Sequence, residues 1–315
     1  MDNRGDPRNV IEMMKKGNRR GLAKAISMVE DGGPEKEILL EYAYHQEAPQ
    51  TMVLGVTGAG GAGKSTLIDK LVAEYRERGK TVGVIAVDPS SPYSGGAFLG
   101  DRVRMSNHNT DIGVFIRSFG SRNCLGGMSE AAKNVLYLYK AFGFDVVIVE
   151  SIGVGQDETE ISRFVDVTTL VLVPGLGDAM QMAKAGVREI ADIFVINKSD
   201  KPEAEVLKEQ LLNSFGILPL EIRPPVISTV ASEGTGVAEL VDAVADMAEK
   251  QQEHSEKKRR ERIWAEVSSS VLYLMNIKLQ KHILDITEEV YKGKTTPFEA
   301  SRRLADCIQY RRETK

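Results

Sequence analysis

The sequence predicts an α/β fold: a three-layer sandwich with a mostly parallel central sheet, preceded and followed in the chain by helical segments. Short β-branched runs alternate with amphipathic segments from residue 52 to residue 228, which is typical of strands joined by crossover helices. Before this region apolar residues recur at helical intervals, and after Gly236 no strand pattern remains. We therefore predict an N-terminal helical extension (1–50), a central domain (51–250) and a C-terminal helical arm (251–315).

The composition is typical of a globular protein that folds on its own. The 315 residues are 42% hydrophobic, which is enough for a sizeable core. The formal net charge of −4 gives no reason to expect a nucleic acid or a membrane as partner. Cys124 and Cys307 are far apart and have no cysteine or histidine cluster near them, which argues against a disulfide framework or a structural zinc site. Since no signal-like run follows Met1, we expect a cytoplasmic location, with a trimmed organelle protein as the alternative.

The N-terminal extension has the spacing of two or three helices. A glycine-containing loop, Asp-Gly-Gly-Pro at 31–34, interrupts the pattern. The apolar positions that recur at helix-like intervals are Ile11, Leu22, Ile26, Val29, Ile38, Leu39 and Tyr42.

Seven β-branched runs predict the strands of the central sheet. They cover residues 52–57, 81–87, 114–117, 146–149, 168–173, 193–196 and 226–228. Continuous apolar runs of this kind are typical of strands that are covered on both faces, as the strands of a parallel sheet are.

The C-terminal arm carries an apolar stripe that needs a surface to cover it. The cover is either the central domain or a second copy of the chain. A basic cluster at 257–260 is flanked by Glu256 and Glu261, which favours a solvated helix face over a nucleic-acid site. The stripe consists of Ile263, Val267, Val271, Leu274, Ile277, Leu279, Ile283, Ile286 and Val290.

Residues 58–65 form a GxxxxGKS pattern between a predicted strand and a predicted helix. Its small residues let backbone N–H groups turn toward a β-phosphate at the helix N-terminus, where an anion is stabilised. Lys64 is expected to span the β- and γ-phosphates and Ser65 to hold Mg²⁺. A glycine-rich turn without a ligand is the alternative, which the Lys-Ser pair disfavours. We therefore predict a P-loop NTPase domain whose loop binds nucleotide through Gly58, Gly60, Gly61, Ala62, Gly63, Lys64, Ser65 and Thr66.

The tetrapeptide Asn197-Lys198-Ser199-Asp200 follows an apolar strand and matches the pattern NKxD. The carboxylate of Asp200 only accepts hydrogen bonds, and guanine offers it two donors, N1–H and the 2-amino group. Adenine would leave buried polar atoms unpaired. We expect Asn197 to tie the site to the phosphate loop and the stem of Lys198 to cover the base. An ordinary polar loop is the alternative, but the position after a strand and downstream of the phosphate loop favours GTP or GDP as ligand.

Acidic residues follow two of the predicted strands. Asp88 and Glu150 are expected at the carboxyl edge of the sheet, where open α/β folds bind ligands. Together with Asp101 and Ser65 they are candidates for holding Mg²⁺ and for ordering the attacking water. Gly153 is expected to place a backbone N–H on the γ-phosphate. Each acid taken alone could instead be a strand-end solubility device or a helix cap.

Several segments together resemble the MeaB/ArgK/MMAA family, whose members are GTPase chaperones of adenosylcobalamin-dependent acyl-CoA mutases. The segments are Asp-Pro-Ser-Ser at 88–91, Gly-Asp-Arg-Val-Arg-Met at 100–105, Glu-Ser-Ile-Gly-Val-Gly-Gln at 150–156, Pro-Pro-Val-Ile-Ser-Thr-Val-Ala at 224–231, and Val-Tyr-Lys-Gly at 290–293 with Pro-Phe at 297–298. The resemblance covers nearly the whole chain. This chain differs from the family at Gly60, where relatives often have proline, and in its sequence at 179–183. These differences bear on which mutase the chain serves.

This resemblance implies a homodimer formed through the C-terminal helices and a mutase partner. GTP hydrolysis would be coupled to loading intact cofactor or removing damaged cofactor, and an adenosyltransferase is a further candidate partner. By matching motif, Asp101 and Arg104 lie in a first switch and Glu150 to Glu158 in a second. Residues 177–186 form a third, whose Asp178 and Lys184 reach the catalytic site when the partner binds. Val230 and Ala231 belong to the nucleotide-binding set.

Three other functions fit parts of the pattern. NKxD disfavours a kinase of a small molecule or transport protein, because guanine selectivity is typical of switches. The four histidines and two cysteines form no cluster, which disfavours a metal-insertion GTPase. The acidic candidates favour turnover over a pure binding module. Because no arginine finger is evident, we expect slow hydrolysis that the partner accelerates.

Overall fold

The computed structural model describes residues 5–46, 51–88, 108, 110–120, 130–151, 161–175, 191–216, 223–252 and 255–310. The contacts divide the chain into two compact units, one ending at Ser255 and the other beginning at Glu256. The predicted three-part boundaries stay a prediction. No helix in the described ranges is long and apolar enough to span a bilayer.

The described N-terminal residues form three helices, α1 (Pro7–Lys15), α2 (Arg19–Asp31) and α3 (Pro34–His45). Side chains cap the first two: the carboxylate of Asp6 accepts a hydrogen bond from the N–H of Arg8, and Asn18 accepts one from that of Arg20, both at 2.9 Å. The predicted loop between α2 and α3 is present. The capping residues therefore mark where α1 and α2 begin, and the Gly-Pro sequence separates α2 from α3.

The N-terminal helices bury an apolar face against the sheet layer. Leu22 and Ile26 of α2 and Leu39 of α3 are fully buried and share a core with β-strand residues. Ile38 differs from the predicted stripe, since 43% of it is exposed. Adjacent helix positions lie about 100° apart, so Leu39 occupies the inward position and Ile38 cannot.

All seven predicted strands are found, with ends shifted by three residues or fewer. The sheet order is β3-β2-β4-β1-β5-β6-β7, and every pairing among the described strands is parallel, which confirms the predicted fold class. The strands are β1 (Met52–Thr57), β2 (Val82–Asp88), β3 (Val114–Gly120), β4 (Val146–Glu150), β5 (Val167–Leu172), β6 (Ile193–Asn197) and β7 (Val226–Thr229).

Helices cover both faces of this sheet and complete the three layers. On one face α4 (Lys64–Glu77) and α7 (Val237–Gln252) pack on Leu54 and Val56 of β1 and their neighbours. On the other face α5 (Glu130–Phe142) packs with the N-terminal helices, and α6 (Glu203–Ser214) covers β5 and β6. Burial on both faces explains why the strands are apolar without alternation.

Three aspartates close the amino edge of the sheet. Asp145, Asp166 and Asp192 each directly precede a strand, and each accepts a hydrogen bond of 2.7–2.8 Å from a backbone N–H at the start of a neighbouring strand. Those N–H groups would otherwise lack a ladder partner. Burial alone would raise the pKa of Asp145, but hydrogen bonds from Thr81 outweigh it, and the pKa lies below the usual value.

The second unit consists of α8 (Ser255–Tyr291) and α9 (Pro297–Tyr310), which the sequence predicted as an all-helical arm. Arg303 on α9 donates a hydrogen bond to Glu289 on α8 at 2.9 Å, and this ion pair links the two helices. Part of the predicted apolar stripe is exposed in the single chain, most strongly at Val267 and Val271, and Trp264 beside it is 71% exposed.

Candidate nucleotide-binding site

The candidate site lies at the carboxyl edge of the sheet beside its central strand. β1 lies between β4 and β5, and the loop that follows it is the predicted phosphate loop. The residues that end β4 and β6 lie at the same edge because all these strands are parallel. Parallel sheets bind ligands at such edges, where connections leave to opposite sides.

Two glycines give the phosphate loop its shape. Gly58 has a φ of +142°, and a Cβ atom there would lie 2.3 Å from the carbonyl oxygen of Val171 on β5. Gly63 has a φ of +90°, and a Cβ atom there would lie 2.4 Å from Nδ2 of Asn197. Any side chain at either position would thus be both strained and obstructed. Gly63 is also the N-cap residue of α4 and provides no side-chain cap, so the N-terminus of this helix suits an anion.

Lys64 folds back over the loop. Its Nζ donates hydrogen bonds to the carbonyl oxygens of Gly58 at 2.8 Å and Ala59 at 3.3 Å, and the residue is buried. These contacts hold an ammonium group beside the loop's own N–H groups. A cation in this place offsets the charge of a bound phosphate.

Ser65 and Glu150 meet although 85 residues separate them. The Ser65 hydroxyl donates a 2.8 Å hydrogen bond to Oε1 of Glu150, which closes β4 and is 5% exposed. The parallel register of β1 and β4 pairs Val56 with Glu150 and thereby brings the carboxylate next to the loop. Two hard oxygen ligands are thus adjacent at the start of α4.

Asn197 joins the predicted base-reading segment to the phosphate loop. Its Nδ2 donates to the carbonyl oxygen of Ala62 at 2.9 Å, and its Oδ1 accepts from the Ala231 N–H at 3.0 Å and the Thr229 hydroxyl at 3.2 Å. The side chain is 3% exposed. Buried amides need such partners, so this residue fixes β6, the segment after β7 and the loop relative to one another.

Lys198 and Asp200 lie in the turn that follows β6. Lys198 has a φ of +57°, and its Nζ donates to the carbonyl oxygen of Gly61 at 3.0 Å. Asp200 is exposed, as a residue that meets a ligand from solvent must be. Val230 pairs with Thr235 through a 3.1 Å backbone hydrogen bond, which shapes the turn next to Ala231.

The structure does not test all of the predicted site residues. Asp88 closes β2, one strand from Glu150, and its side chain lies outside the described set. Asp101, Arg104, Gly153, Asp178 and Lys184 lie outside the described residues altogether. The structure thus brings Glu150, Asn197 and Lys198 into contact with the phosphate loop.

The donor set near Ser65 suits a hard cation. A hydroxyl and a carboxylate oxygen lie 2.8 Å apart there, and such ligands favour Mg²⁺ over softer metals. Among the described residues there is no group of three or more histidine, cysteine, aspartate or glutamate side chains that could hold a metal by itself. Ser65 and Glu150 would supply two oxygen ligands to such an ion, and the other two predicted ligands, Asp88 and Asp101, lie outside the side chains that the structure describes.

Sequence reasoning missed one buried pair at this edge. The Ser151 hydroxyl donates to the Thr57 hydroxyl at 2.7 Å, and the Ser151 N–H donates to the carbonyl oxygen of Val56 at 3.0 Å. Both side chains are buried and link the ends of β1 and β4. The sequence signal was incomplete, since Thr57 is the first polar residue after an apolar run but Ser151 follows Glu150.

Comparisons with known proteins agree with this geometry. The family model described as "Methylmalonyl Co-A mutase-associated GTPase MeaB" matches residues 22–283. A Pyrococcus horikoshii protein named as a GTPase is 41% identical over 309 residues, 95% of this chain and 97% of its own. The mitochondrial methylmalonic aciduria type A homolog of Mus musculus is 30% identical over 323 residues, 94% of this chain and 78% of its own.

A solved structure extends the similarity to three dimensions. The crystal structure of an LAO/AO transport system kinase has a TM-score of 0.68 and 28% identity, and the match covers 98% of this chain and 99% of that one. The phosphate loop, the NKxD segment and the parallel sheet described above lie within these matched regions. The chain is therefore a P-loop GTPase that binds and hydrolyses GTP, and it belongs to the MeaB/ArgK/MMAA family.

Proposed function

We propose that this GTPase is a chaperone of an adenosylcobalamin-dependent acyl-CoA mutase of the methylmalonyl-CoA mutase type. It would gate the loading of intact cofactor and the protection or reactivation of the mutase, in the cytoplasm. The observation that carries this proposal is the match to a mutase-associated GTPase family over residues 22–283, which include both the nucleotide site and most of α8. The similarity to the methylmalonic aciduria type A homolog supports it.

In this proposal the phosphates of GTP bind the loop from Gly58 to Thr66. Lys64 lies beside the loop N–H groups and would move from its two carbonyl partners to the β- and γ-phosphates. Asp200 would accept hydrogen bonds from guanine, while the Lys198 stem covers the base. Val230 and Ala231 would line the same pocket, and the contacts of Asn197 support this placement.

Mg²⁺ would be held by Ser65 and Glu150 together with Asp88 and Asp101. When bound, the ion supplies charge neutralisation at the β- and γ-phosphate oxygens. The adjacent Ser65 and Glu150 oxygens support its position. Glu150 would then orient the attacking water molecule.

Hydrolysis would be completed by residues of the three switches. Asp101 and Arg104 in the first, Gly153 in the second, and Asp178 and Lys184 in the third would surround the γ-phosphate when the partner binds. In this arrangement turnover by the GTPase alone would be slow, because the site is completed only when the partner binds.

The C-terminal helices would form a homodimer. The exposed apolar residues on α8 support this, because Trp264, Val267 and Val271 leave a helix face in water unless a partner covers it. An adenosyltransferase is a further candidate partner for cofactor transfer.

Two measurements test the mutase proposal. A pull-down with a non-hydrolysable GTP analogue, followed by identification of the bound protein, should recover an acyl-CoA mutase. Adding that mutase should raise the rate of phosphate release from GTP by about tenfold or more, because a partner-supplied catalytic group is worth far more than that in other GTPases. A rate that stays the same with the captured mutase would overturn partner activation.

The base-reading assignment has its own test. Asp200→Asn should shift preference from GTP toward xanthosine triphosphate, because the amide can donate to the 2-oxo group of xanthine where the carboxylate accepted from guanine. If the exchange leaves the affinity for GTP and the affinity for xanthosine triphosphate each unchanged, Asp200 does not read the base. Glu203→Gln, a nearby exposed acid at the start of α6, is the matched control.

A kinase is the second candidate, favoured by the similarity to the crystal structure of an LAO/AO transport system kinase. A kinase would transfer the γ-phosphoryl group of GTP to an acceptor. Stoichiometric release of inorganic phosphate, with no phosphorylated small molecule or protein detected by mass spectrometry in cell extract, would exclude it.

A further inference from the structure

Two contacts bind the helix that follows the phosphate loop to the segment just beyond the predicted first switch. On α4, Asp69 and Arg76 are seven residues apart and therefore lie on one face. They meet His108 and Asp111, respectively. We call these four residues the α4 clamp.

The first contact of the α4 clamp is made by His108. Its Nε2 lies 3.2 Å from the main-chain oxygen of Asp69 and must carry the proton, because a carbonyl oxygen only accepts. The carboxylate Oδ1 of Asp69 lies 3.1 Å away but is not aligned to accept, so that contact is electrostatic. Both side chains are largely buried, which gives the contact a fixed geometry.

The second contact is a forked ion pair. Arg76 donates from Nε and Nη2 to the two carboxylate oxygens of Asp111 at 2.8 and 3.1 Å, and from Nη1 to the carbonyl oxygen of Lys80 at 2.7 Å. The guanidinium packs so closely on Gly113 that a Cβ atom there would lie 2.3 Å from it. The Arg76 guanidinium, and then the Gly113 N–H, hold the pKa of Asp111 below its usual value, so the pair stays charged.

The same segment is also held from the N-terminal helices. Arg19 on α2 donates to the main-chain oxygen of Asp111 at 3.0 Å, and its guanidinium lies over the ring of Phe115. The segment around Asp111 is thus fixed to two helices at once. This makes it an anchor for the part of the chain that precedes it.

The anchor is close to Arg104 along the chain and close to Ser65 along α4. Arg104 lies four residues before His108, so its Cα is within about 14 Å of that of His108 even if the chain is fully extended. Along α4, Asp69 lies four residues after Ser65, which is about 6 Å of helix rise. A short tether and a rigid helix therefore connect the first switch to the phosphate loop.

We propose that the α4 clamp positions the first switch, holding Asp101 and Arg104 in register with Lys64 and Ser65. The inference rests on the proposed role of Asp101 and Arg104 in hydrolysis. His108 and Arg76 are positioning residues, since they act through the tether and do not touch the nucleotide. Loosening the clamp should slow hydrolysis and leave GDP binding to the phosphate loop intact.

His108→Ala in the full chain tests the proposal. We expect the kcat for phosphate release from GTP to fall by on the order of tenfold, with the dissociation constant of GDP changed by less than about twofold. His108→Gln keeps an amide donor for the Asp69 carbonyl and should recover most of the kcat. Arg78→Ala is the matched control: it removes an ion pair between the C-cap residue of α4 and Asp242 on α7, and should leave both values unchanged.

A double-mutant cycle with Asp101→Asn separates the two hypotheses. If His108 acts through the first switch, His108→Ala should add little to the loss of kcat in the Asp101→Asn protein. Losses that multiply would overturn the positioning role, as would an unchanged kcat in His108→Ala while Asp101→Asn is impaired. If Asp101→Asn itself hydrolyses GTP normally, the proposed role of Asp101 fails and the positioning role fails with it.

Discussion

Replacement of Asn197 by alanine tests whether the nucleotide site is assembled around one buried side chain. Asn197 makes three hydrogen bonds, to the Ala62 carbonyl at 2.9 Å, the Ala231 N–H at 3.0 Å and the Thr229 hydroxyl at 3.2 Å. Alanine removes all of them and leaves their partners inside the protein. The Thr229 hydroxyl can rotate toward another acceptor, but the two backbone groups cannot.

The expected loss follows from the two stranded backbone groups. Each buried donor or acceptor that loses its partner costs about 1–3 kcal/mol, so the free energy of unfolding should fall by roughly 2–6 kcal/mol, with about 4 kcal/mol as the central value. A water molecule that enters the vacated volume would move the loss toward the lower end. Bound GDP should stabilise the variant less than the unchanged protein, because the loop carbonyl at Ala62 is no longer held.

Urea unfolding followed by far-UV circular dichroism measures this loss. Tryptophan fluorescence is unsuitable, because the single tryptophan, Trp264, lies in α8 and reports on the other unit. The matched control is Asn134→Ala, since Asn134 is also buried, at 7% exposed, but its Nδ2 has no hydrogen-bond partner among the residues that the structure describes. Equal losses for Asn197→Ala and Asn134→Ala would refute the reasoning, because burial alone would then explain both.

Three further predictions concern the loop and the sheet edge. Gly63→Ala should destabilise the protein by about 1–3 kcal/mol, because its Cβ would lie 2.4 Å from the Asn197 side chain and the backbone there is left-handed. At Gly60 an added Cβ would have no described atom within 4 Å, so Gly60→Ala should be neutral, and equal thermal midpoints for the two variants would contradict this. Lys64→Ala should weaken GTP binding by roughly 100-fold in calorimetry, the equivalent of one or two charge-assisted hydrogen bonds, and unchanged affinity would rule out its phosphate role. Because the pKa of Asp145 is lowered in the folded protein, the stability that its carboxylate contributes is complete above about pH 4 and is lost as the pH falls through the folded-state pKa. Asp145→Asn should therefore reduce the fall of the urea midpoint at acid pH, and an equally steep fall would disprove the assignment.

The sequence predicted the sheet well because its strands are buried on both faces. Such strands are continuous apolar runs that end at polar residues, and these local signals place their ends. The largest difference is at β3, predicted to end at Arg117 but continuing to Gly120. Ser118 and its two successors pair in register with β2, so the neighbouring strand and not the local pattern decides where β3 ends.

The site was predicted where its contacts belong to a motif and missed where they depend on register. Asn197 was expected to tie the base-reading segment to the loop, and its hydrogen bond to Ala62 is present. The Ser151–Thr57 pair and the contact of His108 with α4 join residues that are distant in sequence. No local pattern marks His108, because its partner is chosen by how the chain returns to α4.

The contacts of β6 explain how a guanine-reading segment also prepares the phosphate loop. Asn197 and Lys198 donate to the carbonyl oxygens of Ala62 and Gly61, two successive peptide groups of the loop. In a planar trans peptide the C=O and the N–H of the next residue point in opposite directions, so drawing these carbonyls toward β6 turns the N–H groups of Ala62 and Gly63 away from it. The Ala62 N–H is also held within the loop, where it donates to the carbonyl oxygen of Ala59 at 3.1 Å. Their orientation is therefore set by protein contacts before any phosphate arrives. A loop ordered in advance loses less entropy on binding, so the residues after β6 contribute to phosphate affinity as well as to the choice of base.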